Sequence, residues 1–149
     1  MLKGIDPLLN ADVLRVLRAM GHGDDLIIAD ANFPSDSVAR ATTVGKLLRI
    51  DASAPDAVRA VLSLMPVDDF VDDAAARMEI VGAPDEVPPV QAQVQAALDA
   101  AEGAPRPMTG VERFAFYDRA RAAYAVVQTA ERRFYGCFAF RKGVIPPEG

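Results

Sequence analysis

Short apolar segments alternate with amphipathic segments along this chain, and that alternation predicts an α/β fold with a largely parallel sheet flanked by helices. Residues 26–29 form a continuous apolar run, which is typical of a strand buried on both faces. Before that run, Val13, Val16 and Leu17 recur at helical spacing and predict an amphipathic helix. A doubly buried strand needs cover on each face, so both observations favour the same architecture.

Capping residues indicate where the first two helices begin and end. Asn10 can cap the first helix, and Gly21 stands where the end of that helix is expected to take the left-handed conformation. Ser53 and Pro55 predict the start of a second helix, which Pro66 ends.

Five strands and two further helices complete the predicted order. The strands are expected at residues 26–29, 47–50, 74–81, 124–129 and 137–140. An alanine- and glutamine-rich helix is expected to begin at Pro88 and Pro89 and to reach about residue 101. Thr109 and Glu112 match a capping box, which predicts that the last helix starts there and runs to about residue 122.

Composition limits the class of protein. A chain of 149 residues is expected to form one domain, residues 1–149, with a core that needs no disulfide. The net charge of −5 argues against nucleic acid and anionic membranes as partners. Cys137 is the single cysteine, which fits a reducing, cytoplasmic setting. We expect neither a secretory signal nor a membrane helix, since no apolar segment has the required length.

His22 is the only histidine and the clearest candidate for proton transfer. Imidazole gains or loses a proton near neutral pH, and the flanking glycines, Gly21 and Gly23, predict an accessible tight turn. The residue follows a predicted helix C-terminus, whose partial negative charge favours imidazolium. The alternative is the commoner one for a lone histidine, a surface or core residue without a chemical role.

Two charged residues are candidate ligand contacts. Asp30 ends the first predicted strand, and ligands of open α/β sheets collect at the carboxyl ends of strands. A carboxylate can accept hydrogen bonds from two neighbouring sugar hydroxyls, although a turn or cap aspartate is the simpler interpretation. Arg113 lies in the first turn of the last helix, where the helix dipole disfavours a cation. Arg113 therefore either contacts a ligand or forms a surface ion pair with Glu112 or Asp118.

Other familiar motifs are excluded. The segment Gly21–Gly23 has no third glycine and precedes its strand, so it is no dinucleotide fingerprint. Arg40 stands where a P-loop ending at Gly45–Lys46 needs a glycine. One histidine and one cysteine are too few for a zinc site. The acidic segment Asp68–Asp73 lacks the pattern of a calcium loop and predicts a solvated face, and no serine-hydrolase elbow is present.

Five segments carry a resemblance to a known family: Met1–Leu9, Met20–Asp24, Asp30–Pro34, Arg113–Tyr117 and Lys142–Val144. In this order they closely resemble the L-fucose mutarotase and D-ribose pyranase family, from the first residue to about Val144. The Arg113–Tyr117 run is more similar to the fucose branch.

The resemblance implies an enzyme that interconverts sugar anomers without a cofactor. It also implies a Rossmann-like three-layer fold and assembly into decamers of two pentameric rings. By motif match, His22 corresponds to the proton donor, and Asp30 and Arg113 correspond to substrate contacts. Tyr135, Gly136 and Cys137 occupy a substrate-binding segment of the family.

Cys137 departs from the family pattern, in which an asparagine usually contacts the sugar at this position. A thiol is a weak hydrogen-bond partner and lacks the carbonyl and amide of asparagine. Sugar preference therefore stays open between L-fucose and a pentose such as D-ribose. A non-catalytic sugar-binding module on the same scaffold is a further alternative.

The spacing of His22 and Asp30 carries a prediction of its own. The two residues flank one strand, and five strand residues span roughly 16 Å. Their side chains should therefore lie at opposite ends of that strand. We expect each site to be shared, with His22 supplied by a neighbouring copy and Tyr135 or a held water completing the proton relay.

Overall fold

The structure is a computed structural model that describes residues 1–148, and it contains a six-stranded sheet with helices on both faces. The strands are β1 Asp25–Ala29, β2 Leu48–Ile50, β3 Ala75–Met78, β4 Thr109–Val111, β5 Ala125–Thr129 and β6 Phe138–Arg141. The helices are α1 Ala11–Ala19, α2 Ser35–Ala39, α3 Ala54–Leu62, α4 Pro89–Glu102 and α5 Arg113–Arg121. None of these helices is long and apolar enough to cross a membrane.

The strand order is β2-β5-β1-β6-β3-β4. The pairs β2–β5, β5–β1 and β3–β4 are parallel, whereas β6 is antiparallel to both of its neighbours. The predicted α/β fold with a largely parallel sheet is therefore confirmed, with β6 as the exception. After β1, the chain places β2 on one side of that strand and β3 on the other. The direction of strand addition therefore reverses between β1 and β3, which is where open α/β sheets bind ligands.

Alternation along β1 divides the core into two layers. Leu26 and Ile28 pack in the core cluster that α1, α3 and α4 cover, and Ile27 and Ala29 pack in the cluster that α2 and α5 cover. All four side chains are fully buried, as the continuous apolar run predicts. The result is the three-layer arrangement of helices, sheet and helices that the family resemblance implies.

The first helix begins as predicted but ends differently. The Asn10 side chain accepts a hydrogen bond from the backbone N–H of Val13, which caps α1. Gly21 does not adopt the left-handed conformation, and that prediction is wrong; the positive φ, +90°, occurs at Gly23. The ammonium of Lys142 caps the C-terminus of α1 instead, because its Nζ donates to the carbonyl oxygens of Leu17 and Met20 at 2.7 and 2.6 Å.

The capping-box prediction at Thr109 is wrong. Residues 109–111 form the edge strand β4, parallel to β3, and α5 begins only at Arg113. Glu112 is the cap, since its carboxylate accepts hydrogen bonds from the backbone N–H groups of Phe114 and Ala115 at 2.9 and 3.0 Å. Pairing with β3 therefore overrides the local helix signal.

A strand boundary and a short helix also differ from the prediction. The strand expected at 74–81 is limited to Ala75–Met78, because the chain turns beyond it at Gly82, which has a φ of +79°. The five-residue helix α2 follows Pro34 directly and was not predicted. It is too short to carry a clear apolar periodicity.

Candidate functional site

A cleft of about 220 Å³ opens at the carboxyl ends of β1 and β3 and is closed by the loop that leads into β6. This volume is below the roughly 300–1,000 Å³ of pockets for drug-sized ligands and suits a monosaccharide. Its lining combines polar and aromatic side chains: Asp30, Asn32, Phe33, Met78, Arg113, Tyr117, Phe134, Tyr135 and Cys137.

Asp30 forms the floor of this cleft. The residue is 4% exposed, and its Oδ1 accepts hydrogen bonds from the backbone N–H groups of Asn32 and Phe33, both at 3.0 Å. Its Oδ2 accepts from the Gly136 N–H at 3.1 Å and from the Cys137 thiol at 3.5 Å. A carboxylate has about four acceptor positions, so all are engaged within the chain. The thiol is the weakest of these donors, and a ligand hydroxyl can replace it at the least cost.

The close approach of the β5–β6 loop to Asp30 leaves little room for a side chain at position 136. A Cβ at Gly136 would lie 3.0 Å from Cγ of Glu131 and 3.3 Å from Cβ of Asp30. The preceding residue, Tyr135, has a φ of +60° and is the only non-glycine residue with positive φ within residues 1–148. That conformation costs about 1 kcal/mol or more, and such outliers occur at functional sites.

Arg113 and Tyr117 form the opposite wall, one helical turn apart on α5. The Arg113 Nε donates to the Tyr117 hydroxyl at 3.2 Å, and the guanidinium lies 5.5 Å from the centre of the Tyr117 ring. The hydrogen bond to Tyr117 raises the pKa of Arg113 above its ordinary value. The exposed Arg113 thus faces the cleft and pairs with neither Glu112 nor Asp118.

Cys137 lines the cleft from the position directly before β6. Burial, together with the negative charge of Asp30, raises the pKa of the Cys137 thiol well above its usual range. The sulfur is therefore held as a neutral thiol that donates weakly to Asp30. It offers a bound sugar no amide and no carbonyl.

His22 lies away from the cleft, in the turn before β1. Its Nε2 is 3.2 Å from Oδ1 of Asp68, and its ring meets Phe70 edge-on at a centroid distance of 5.2 Å. The His22 side chain is 41% exposed, whereas that of Asp68 is 4% exposed. A hydrogen bond across the turn, from the Asp24 N–H to the Gly21 carbonyl oxygen, gives the tight turn that the two glycines predict.

Asp68 is buried and so departs from the solvated face that was expected of the acidic segment, whereas Asp69, Asp72 and Asp73 are exposed as expected. Burial alone would raise the pKa of Asp68, but hydrogen bonds from the Phe70 N–H and from His22 hold it below its ordinary value. The helix C-terminus invoked for His22 is occupied by Lys142, so Asp68 is the group that faces the imidazole.

The chain thus brings together five of the six predicted site residues. Asp30, Arg113, Tyr135 and Cys137 line the cleft, and Gly136 donates to Asp30 behind it. His22 is absent from this group, as expected from its place at the other end of β1.

Sequence reasoning missed several residues of the lining. Tyr117 carried a usable signal, its spacing of four residues from Arg113 on one helix. Met78 and Phe134 carried none, because their place depends on strand pairing. Among the described residues, no group of three or more His, Cys, Asp or Glu side chains is placed to hold a metal ion.

The sequence profile of the RbsD / FucU transport protein family matches residues 3–145. The chain belongs to the RbsD/FucU family. Two relatives, the proteins named fucose mutarotase from Danio rerio and Homo sapiens, are 44% and 40% identical to it. The first alignment covers 99% of this chain and 97% of the relative, and the second covers 97% and 94%.

Solved structures place this RbsD/FucU chain in the same fold. The fucose mutarotase from Streptococcus pneumoniae in complex with L-fucose superposes with a TM-score of 0.86 at 34% identity, covering 97% of this chain and all of that one. A candidate sugar-binding protein of known crystal structure superposes with a TM-score of 0.96 at 62% identity, covering 98% of this chain and 97% of that one. RbsD from Bacillus subtilis, complexed with D-ribose, shares the fold at 20% identity and a TM-score of 0.68, covering 98% of this chain and all of that one.

Proposed function

We propose that this chain is a fucose mutarotase, an isomerase that interconverts the anomers of L-fucose without a cofactor. The observation that carries the proposal is the cleft itself, a monosaccharide-sized site with few polar groups, in a fold shared with a fucose mutarotase that binds L-fucose. We further propose that the reaction takes place in the cytoplasm.

The cleft can orient a sugar through a small number of polar groups. Arg113 supplies guanidinium donors, and the hydroxyl groups of Tyr117 and Tyr135 lie among the lining. Phe33 and Met78 provide an apolar surface on which the C–H face of a sugar can pack. Asp30 fixes the shape of the floor and accepts one sugar hydroxyl in place of the Cys137 thiol.

Mutarotation needs one acid and one base. A proton must reach the ring oxygen as the bond from that oxygen to the anomeric carbon breaks, while the anomeric hydroxyl loses its proton and the open-chain aldehyde forms. Rotation about the adjacent carbon–carbon bond and the reverse proton transfers close the ring on the other face. Each positioned acid or base contributes a factor of roughly 100 to 10,000.

The cleft residues of one chain supply no acid suited to neutral pH. Arg113 has a raised pKa and keeps its proton, and burial raises the pKa of Cys137 so that its thiol is too weak an acid. The acceptor positions of Asp30 are engaged by four donors. His22 has the required chemistry but lies at the other end of β1, roughly 16 Å away along the strand.

A second copy of the chain resolves this separation. We assign His22 of a neighbouring copy as the acid that protonates the ring oxygen. A held water or the Tyr135 hydroxyl relays the proton of the anomeric hydroxyl, and Tyr135 passes its own proton to solvent as it receives that one. The exposed position of His22 supports this, because the imidazole is accessible to another chain. An assembly of two stacked pentameric rings, a decamer, would present every His22 to a neighbouring cleft.

Saturation-transfer NMR tests the proposal. Irradiation of one anomeric proton of L-fucose should reduce the signal of the other when the protein is present. The variant His22→Ala should abolish this transfer while retaining the fold by circular dichroism. A non-catalytic sugar-binding protein would give ligand shifts without transfer.

The same measurement across sugars decides the substrate. We expect transfer to be fastest with L-fucose, slower with galactose and slowest with D-ribose. If transfer were faster with D-ribose, the proposed function would have to change from fucose mutarotase to a pyranase. Absence of transfer with all three sugars, or full activity of His22→Ala, would contradict the proposed reaction or the role of His22, respectively.

A further inference from the structure

Gln91, on α4, is a fully buried polar residue that lies outside the cleft lining. Its Nε2 donates to the carbonyl oxygen of Met78 at 2.7 Å and to that of Tyr135 at 3.0 Å. Its Oε1 accepts from Nη1 of Arg77 at 3.2 Å. The buried amide is satisfied by partners that all belong to β3 or to the loop before β6, so its contacts join these two segments.

Both carbonyl groups that Gln91 binds belong to residues of the cleft wall. Met78 ends β3, and Tyr135 lies in the loop that enters β6. The next residues along the loop are held to the same place, because the Met78 N–H donates to the Cys137 carbonyl oxygen and the Gly136 N–H donates to Asp30. From its position outside the cleft, Gln91 therefore holds the end of β3 and the loop before β6 together.

The backbone of Tyr135 explains why such a fastening is needed. Its φ of +60° is a conformation that residues other than glycine rarely adopt, so the surroundings must hold it. A relaxed Tyr135 backbone would draw the Gly136 N–H away from Asp30 and would pull on the Tyr135 ring, whose hydroxyl accepts a hydrogen bond from the Val81 N–H at 3.3 Å. Of the contacts described for the Tyr135 backbone, the hydrogen bond from Gln91 is the one made by a side chain.

We propose that Gln91 is a positioning residue of the sugar site, which holds the left-handed backbone of Tyr135 so that the Tyr135 ring and the Gly136 N–H keep their places in the cleft. Its kinetic consequence depends on the proposed mutarotase function. Its structural consequence does not.

The chain offers a matched control on the same helix. Gln95 lies one turn further along α4, and its Nε2 donates to the Arg106 carbonyl oxygen at 2.8 Å while its Oε1 accepts from the Met108 N–H at 3.0 Å. Gln95 therefore ties α4 to a loop just as Gln91 does, but that loop does not line the cleft. Methionine has nearly the shape of glutamine without its polar atoms, so Gln91→Met and Gln95→Met each remove three side-chain hydrogen bonds, from a fully buried position and a half-buried one respectively.

Steady-state anomer exchange with L-fucose separates a positioning role from a structural one. In Gln91→Met we expect KM to rise about tenfold and kcat to fall less than about threefold, because substrate binding loses its preformed wall. Gln95→Met should keep the KM and kcat of the unmodified protein. Equal KM values in Gln91→Met and the unmodified protein would overturn the proposal.

Hydrogen exchange of the Gly136 amide gives a readout that needs no activity. In the unmodified protein this amide should exchange as slowly as those of β6; fast exchange there would overturn the proposal even if Gln91→Met fails to fold. In Gln91→Met we expect exchange at least about tenfold faster, and in Gln95→Met no change. If no sugar undergoes anomer exchange, the proposed function fails while the amide measurement still decides the role of Gln91.

Discussion

The thiol of Cys137 is the weakest donor to Asp30, and in the proposed site it holds the acceptor position that a sugar hydroxyl would take over. It donates to Oδ2 at 3.5 Å, while the other three acceptor positions are filled by backbone N–H groups. Because a thiol is a weak donor, the floor of the cleft is less polar here than with an asparagine at position 137.

Replacing Cys137 by asparagine should therefore strengthen sugar binding. The amide adds one donor and one acceptor beside Asp30, and a single additional hydrogen bond lowers KM for L-fucose by about three- to tenfold. Initial rates of anomer exchange across a concentration series measure this. Cys137→Ala is the control, since it frees the acceptor position on Asp30 without adding a polar group, and its KM should stay above that of Cys137→Asn. An unchanged or higher KM in Cys137→Asn would contradict the explanation.

Elements that depend on local pattern were predictable, and those that depend on pairing were not. The cap at Asn10 and the apolar run of β1 are set within a few residues of sequence. The segment at Thr109 is different, because its capping-box pattern favours a helix while its backbone groups pair with β3 about thirty residues earlier. Only knowledge of that long-range partner would have indicated a strand.

Glu131 links two elements, since it lies in the β5–β6 loop and binds the start of α3. Its Oε2 accepts from the Ala54 N–H at 3.1 Å, and its Oε1 accepts from Nε of Arg133 at 2.8 Å. The hydrogen bonds from Arg133, opposed by burial and aided by the Ala54 N–H, lower the pKa of Glu131 from 4.5 to about 2.

This lowered pKa predicts how stability depends on pH. The unfolded chain binds the Glu131 proton at a higher pH than the folded chain does. The stability that Glu131 contributes is therefore fully present above pH 4.5 and is lost as the pH falls towards about 2. At neutral pH the contribution to the free energy of unfolding is up to about 3 kcal/mol.

Denaturant unfolding between pH 2 and pH 7 checks the effect of Glu131. Glu131→Gln should unfold more easily at neutral pH and should show a shallower loss of stability below pH 4.5. Glu86→Gln makes the same chemical change at an exposed position and should leave both quantities unchanged. An acid profile for Glu131→Gln that matches the unmodified protein would remove Glu131 from this account.

At the scale of the whole molecule, the antiparallel strand β6 completes the candidate site. It is inserted between β1 and β3, and it brings the loop with Tyr135 and Gly136 to the ends of those strands. The sequence places Asp30 at a strand end, which indicates a ligand site there. It does not indicate that Arg113 lies beside Asp30, because that neighbourhood depends on the order of six strands.

The distance between His22 and the cleft is also a property of the whole molecule. His22 precedes β1 and contacts Asp68, while Asp30 follows β1 and forms the cleft floor. The strand between them is rigid and fully buried over residues 26–29, so no local movement brings the two together. Function therefore depends on assembly in the mechanism proposed.

Complementation between two inactive chains tests this shared site most directly. His22→Ala and Arg113→Ala chains, each assembled alone, should have little or no anomer exchange with L-fucose. In random mixed assemblies about a quarter of the sites combine an intact His22 from one chain with an intact Arg113 from its neighbour. Saturation transfer should then recover to about a quarter of the unmodified rate. No recovery, in assemblies shown by native mass spectrometry to contain both chains, would contradict a site built from two copies.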